Sequence, residues 1–178
     1  SIRVLQQLGV RKLIEMAARV GFDVNDMQPN LTLALGTHAY TPLEVANGYT
    51  AIANGGFKVD PWLIDRIEDV EGNMIYEANP LIACSTCEKQ PIDNEFLEAS
   101  RIEDLFEDSE PEFREAPRII DKRVTYVLTS MLEDVIRRGT GRRARVLERN
   151  DLAGKTGTTN GPRDAWFSGY NKDLVTTT

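Results

Sequence analysis

Histidine occurs once in these 178 residues, cysteine and tryptophan twice each, and no run of 18 apolar residues exists anywhere. Each shortage excludes something. A helix needs about 20 mostly apolar residues to cross a bilayer, so no segment reads as a membrane span. A structural zinc site needs four Cys or His ligands. Here the two cysteines form a single CxxC, Cys84-Ser85-Thr86-Cys87, and the one histidine, His38, is distant in sequence, so no metal is expected. A thioredoxin-like use of CxxC requires a βαβ context, which the surrounding acidic stretch lacks. The expected state is a local disulfide, whose small ring adds little stability, or thiols without a catalytic role. His38 as a hydrolase base would need a nucleophile motif such as G-x-S-x-G, and that motif is absent. Gly154-Lys155-Thr156 imitates the end of a phosphate-binding loop, but G-x-x-x-x-G-K-[ST] demands glycine at the position of Arg149. No cofactor is expected.

Charge is also unevenly supplied. The formal balance is −7, and the stretch from Glu88 to Arg118 holds 11 acidic and 4 basic residues, leaving 17 of each sign elsewhere. The framework is therefore neutral, and one segment carries the whole imbalance. That segment, roughly 78–117, also contains Pro80, Pro91, Pro111 and Pro117 and few periodic apolar positions. It cannot bury enough apolar surface to offset chain entropy and is expected to be an acidic, mobile insertion. Neither half of the chain has the basic surplus that nucleic acid requires.

The remaining sequence is long enough for one domain with a core. Val4, Leu5, Leu8, Leu13, Ile14, Ala17 and Ala18 recur at spacings of three and four around Gly9-Val10, predicting two short helices or one broken one, the second ended by Gly21-Phe22, with core-facing positions. Thr41-Pro42-Leu43-Glu44 combines a hydroxyl cap, proline at the first helical position and glutamate three residues on, a capping box for a helix ending near Ala53. Extended segments follow on either side of the turn Glu71-Gly72-Asn73, predicting an antiparallel hairpin at about 57–76. Asp121 can cap a helix whose stripe of Val124, Val127, Leu128, Met131, Leu132, Val135 and Ile136 predicts full burial. Gly139 ends it. Arg142, Arg143, Arg145 and Arg149 then form a basic cluster, either a solvated face or a steering patch for an anion. Strands are predicted at about 152–158 and 165–170, and Leu174-Val175-Thr176-Thr177-Thr178 begins another.

The centre of the chain is Leu152-Ala153-Gly154-Lys155-Thr156-Gly157-Thr158-Thr159-Asn160, where small and hydroxyl residues surround one lysine. In an extended segment Thr156 and Thr158 share a face, Lys155 supplies a positive charge, and Gly157 admits a ligand close to the backbone. That set of groups can hold a carboxylate. Lys155-Thr156-Gly157 is also one of three signatures of the penicillin-binding and serine β-lactamase superfamily. Together with Asp164-Ala165-Trp166-Phe167-Ser168-Gly169-Tyr170, Gly36-Thr37, Thr41 to Tyr49, Ala53-Asn54-Gly55-Gly56 and Gly139 to Ala144, it resembles the transpeptidase domain of bifunctional class A penicillin-binding proteins. The 1a kind of Gram-negative bacteria is the nearest in pattern, and the resemblance covers residues 1–77 and 119–178.

The other two signatures are missing. None of Ser1, Ser85, Ser100, Ser109, Ser130 and Ser168 has lysine three residues on or asparagine two residues on, so S-x-x-K and S-x-N lie outside this chain. The resemblance implies a C-terminal part of the domain, residues 1–178, cut just after S-x-N, with an α+β fold of an antiparallel sheet flanked by helices. It implies peptidoglycan D,D-transpeptidation by serine acyl transfer, with stem peptides and the lipid-linked precursor as substrates and β-lactams as inhibitors. Lys155 and Thr158 would be catalytic, with the Thr158 backbone N–H an oxyanion donor. Thr156, Gly157, Thr158 and Thr159 would bind substrate. The remainder of the same protein would carry the serine and a glycosyltransferase, anchored in the inner membrane with its catalytic domain in the periplasm. The alternative is a catalytically inactive scaffolding module on the same fold.

Overall fold

The structure, a computed structural model, describes residues 1–84, 114–159 and 164–178. It is α+β, with helices packed on an antiparallel sheet. Helices α1 (Ile2–Leu8) and α2 (Val10–Val20) are separated at Gly9, whose φ of 89° no β-carbon residue adopts readily, and α2 closes on a left-handed Gly21. A 3₁₀ turn at Leu31–Leu35 leads to α3 (Pro42–Ala53). Both halves of the predicted capping box form: Glu44 N–H donates to Thr41 Oγ1 at 3.3 Å, and Thr41 N–H donates to Glu44 Oε2 at 2.7 Å. The Thr41 N–H and then its hydroxyl, both donating to the Glu44 carboxyl, hold it below the usual carboxylate range.

Strands β1 (Arg66–Glu68) and β2 (Met74–Glu77) form the predicted hairpin, shorter than expected because among the described residues 58–64 join no strand, and Asp65 adds only the bond its carbonyl accepts from Ala78 N–H at 2.7 Å. Helix α4 (Lys122–Arg137) starts on the Asp121 cap, which accepts from Arg123 N–H at 2.8 Å. A second sheet has the order β3 (Ala153–Thr158), β4 (Ala165–Tyr170), β5 (Val175–Thr177), all antiparallel. Ala153 pairs with Tyr170, and Tyr170 with Val175. These side chains share a face by the two-residue period of a strand, and α3 and α4 cover that face through Tyr49, Ile52, Ala53, Leu128 and Leu132. Tyr170 is the joint: its ring meets Tyr49 of α3 edge-on at 6.4 Å between centroids, and its hydroxyl lies 2.8 Å from Thr129 Oγ1 of α4. On the opposite face the Phe167 ring lies across Gly154 and Gly169. A β-carbon at either glycine would sit 2.6 or 2.7 Å from it.

Two expectations about burial fail. Helix α2 has no buried residue, and in α1 only Leu5 is buried while Val4 and Leu8 are 57% and 56% exposed. The α4 stripe is likewise divided: Leu132 and Ile136 are buried, but Val127 and Met131 are 56% and 62% exposed. Periodicity reports that a helix has an apolar face; it does not report how much of that face this chain can cover.

Most of the acidic segment expected at 78–117 lies outside the described residues. Its two described flanks meet. Ile82 N–H donates to Arg114 O at 2.9 Å, Ala116 N–H to Ile82 O at 2.9 Å, and Ile119 N–H to Gly56 O at 2.7 Å. Ala116 is buried. Cys84 is disulfide-bonded.

Candidate functional site

Strand β3 forms one edge of its sheet: β4 lies on one side, and among the described residues no strand pairs with the other. Which backbone groups face that open edge follows from the ladder. Thr159 N–H donates to Asp164 O at 3.2 Å, toward β4. In an antiparallel pair the N–H and C=O of alternate residues point the same way, so those of Gly157, Lys155 and Ala153 also face β4. The far side of β4 confirms the phase, because Phe167 exchanges bonds of 2.9 and 3.0 Å with Thr178. The N–H groups of Thr158, Thr156 and Gly154 and the carbonyl of Thr156 therefore face the open edge. A free strand edge is a template for an extended chain, and an N–H group there is a ready donor to a developing oxyanion.

Lys155 places its ammonium on the same edge, since Nζ donates to the Thr156 carbonyl at 2.6 Å. The side chain is exposed. Thr156 and Thr158 share the face of Gly154, so their two hydroxyls, the Lys155 ammonium and the three edge N–H groups line a single strip. A carboxylate accepts only, and the strip offers it donors in the hydroxyls, the ammonium and the edge N–H groups, its one carbonyl, that of Thr156, being engaged by Lys155. The strip is not a phosphate cradle: Lys155 sits in a paired strand, not in a glycine loop opening a helix.

Gly157 is exposed, and a β-carbon there would come 3.2 Å from Trp166 Cβ. The glycine thus keeps the strand flat against its partner as well as bare toward a ligand. Thr159 closes the hairpin, its hydroxyl accepting from Asp164 N–H at 3.0 Å. Of the basic cluster, Arg149 is committed to Asp151 by two bonds of 2.9 and 2.7 Å just before β3. That pairing holds the Asp151 carboxyl below its ordinary range. Arg142, Arg143 and Arg145 lie on a 3₁₀ turn, Arg142–Leu147, and form no ion pair among the described residues. The His38 ring meets the Tyr40 ring at a tilt of 60°, with centroids 4.7 Å apart, on the segment leading into α3.

One residue of the site was not assigned from sequence. The Thr140 hydroxyl, in the loop after α4, lies 2.5 Å from the Thr156 hydroxyl. Its signal was the sequence Gly139-Thr140-Gly141, which marks a tight turn but not what the turn touches. Among the described residues no group of His, Cys, Asp and Glu could hold a metal ion.

The family model described as the penicillin binding protein transpeptidase domain matches residues 2–174. The chain is 46% identical over 197 residues to penicillin-binding protein 1A of Pseudomonas aeruginosa, covering 99% of this chain and 23% of that protein. It is 36% identical over 208 residues to penicillin-binding protein 1A of Escherichia coli K12, covering 98% and 24%. The crystal structure of penicillin-binding protein 1A from Haemophilus influenzae superposes with a TM-score of 0.79 at 32% identity, covering 99% of this chain and 27% of that one. The chain thus spans about a quarter of the length of these relatives.

Proposed function

Because this chain belongs to the penicillin-binding protein transpeptidase family, we propose that it supplies the substrate-holding strand of a serine-type peptidoglycan D,D-transpeptidase. A serine carried by another part of the same protein attacks the carbonyl between two D-alanines. The leaving D-alanine takes a proton, an acyl-enzyme remains, and the amine of a neighbouring stem peptide resolves it. Two demands fall on β3. The tetrahedral oxyanion needs a fixed donor, which is the Thr158 N–H. The terminal carboxylate must be held so that the carbonyl lies over the serine, which falls to the hydroxyls of Thr156 and Thr158 with Lys155 supplying positive potential. Gly157 leaves the strand bare for the substrate's approach, and Thr159 fixes the hairpin beyond it.

The single observation that supports this most is the phase of the ladder, which turns the Thr158 N–H to an open edge beside the Lys155 ammonium. A scaffolding module would need no such alignment. β-Lactams, carrying a carboxylate where the substrate does, would be accepted by the same strip. In this reading the whole protein also carries a glycosyltransferase, sits in the inner membrane and works in the periplasm on stem peptides of the lipid-linked precursor. Among the described residues of this chain no helix is long and apolar enough to cross a membrane.

The test is the second-order rate of acylation of the intact protein by a fluorescent penicillin. Lys155→Ala is expected to lower it by roughly ten- to a hundredfold, the scale of a lost bond to a charged group. Acylation at the parent rate would remove Lys155 from the site.

A further inference from the structure

We propose that Thr140 is a positioning residue that sets the direction of the Thr156 hydroxyl, making it a donor to the substrate carboxylate. The inference rests on the reading of Thr156 as a carboxylate-binding residue. A hydroxyl carries one proton and two acceptor sites. A carboxylate can only accept, so Thr156 must spend its proton on the ligand. The 2.5 Å contact between the two hydroxyls is then satisfied in one sense alone: Thr140 donates and Thr156 accepts. The two bonds run in series from Thr140 through Thr156 to the carboxylate, each polarising the next.

The loop is built to hold Thr140 still. Gly139 N–H and Gly141 N–H both donate to Val135 O, at 3.1 and 3.0 Å, folding the chain back on the last turn of α4. A β-carbon at Gly139 would lie 2.7 Å from Val135 Cα, and one at Gly141 2.8 Å from Ile136 Cδ1. Ile136 and Gly141 are both buried. At Gly139 the contact is with backbone, so only glycine permits so close an approach, whereas at Gly141 the Ile136 side chain would have to turn aside; Thr140 between them projects from the helix end to the strand. Helix α4 thereby acts on the site without touching the ligand.

The experiment compares acylation of the intact protein by a penicillin and by its methyl ester, which lacks the negative charge but keeps the reacting ring. Thr140→Val keeps the shape and removes the hydroxyl. It is expected to reduce the preference for the carboxylate form about three- to tenfold, the range of one hydrogen bond, with the ester rate unchanged. Thr140→Ser should retain the preference, and Thr140→Val should add nothing in a Thr156→Val background. Equal loss on both compounds would overturn the proposal in favour of a packing role, and loss on neither would leave Thr140 no part in the site. If Thr156→Val lowers the preference and Thr140→Val does not, the positioning role alone fails. If Thr156→Val itself leaves the preference intact, the carboxylate role of Thr156 fails first.

Discussion

The two antiparallel pairings, β1 with β2 and β3 with β4, are held together by different forces. Every residue of β1 and β2 is exposed. The hairpin is fixed by its turn: Asp69 accepts from Asn73 N–H at 2.8 Å, Asn73 Nδ2 at 2.8 Å and Glu71 N–H at 3.0 Å, bonds that hold its carboxyl below the ordinary range. All those partners lie within five residues. The β3–β4 pair closes on the bonds between Thr159 and Asp164 and is in addition fixed from outside, by α3 and α4 on one face and by Phe167 across two glycines on the other. A locally specified hairpin can move without consequence elsewhere. A strand clamped on both faces transmits any disturbance to the groups on its edge, so chemistry belongs on the clamped one.

The contrast breaks most visibly at Gly154. Gly154→Val would drive a side chain into Phe167 Cζ, 2.6 Å from the β-carbon position, and toward Ser168 O at 2.9 Å. Overpacking of this kind costs about 1–3 kcal/mol. Thermal unfolding of the intact protein should show the loss in the transpeptidase transition, and penicillin acylation should fall with it. Retained stability would mean that Phe167 does not clamp the strand.

A smaller effect is expected at the joint. Tyr170→Phe removes the bond to Thr129 and should cost about 1 kcal/mol. It also carries a pH signature. Burial pushes the Tyr170 phenol above its usual value, with Thr129 opposing and Glu133 adding to the rise. The folded state therefore holds this proton longer than the unfolded chain does. Its stabilising contribution is full below the ordinary tyrosine range near pH 10 and is lost as pH rises through the folded value. In Tyr170→Phe the alkaline decline of stability should be shallower, and an unchanged decline would assign it to other groups.

The smallest change belongs to the exposed hairpin. Ile75→Ser should alter stability by no more than about 0.5 kcal/mol and leave acylation at the parent rate, since Ile75 is 66% exposed. A large loss in the intact protein would show that the hairpin is covered there.

What the sequence by itself determined is what neighbours along the chain can settle. Thr41 and Glu44 are three residues apart, Asp121 and Arg123 two, and Gly9 and Gly21 needed only their own φ, so the caps and breaks of α1 to α4 were readable. The run of small and hydroxyl residues around Lys155 marked the segment that forms β3, and the acidic surplus between Glu88 and Arg118 set one segment apart. Only the tertiary structure decided which apolar faces are covered, because burial of Leu132 but not Met131 depends on where β3 lies against α4. It also decided the phase of β3. The same six residues extended with the opposite phase would turn the Thr158 N–H into the sheet, and sequence carries no mark of that choice. The meeting of Thr140 with Thr156 spans 16 residues and two elements. It exists because Gly139 and Gly141 let a loop close on a helix end, and that helix lies along the strand.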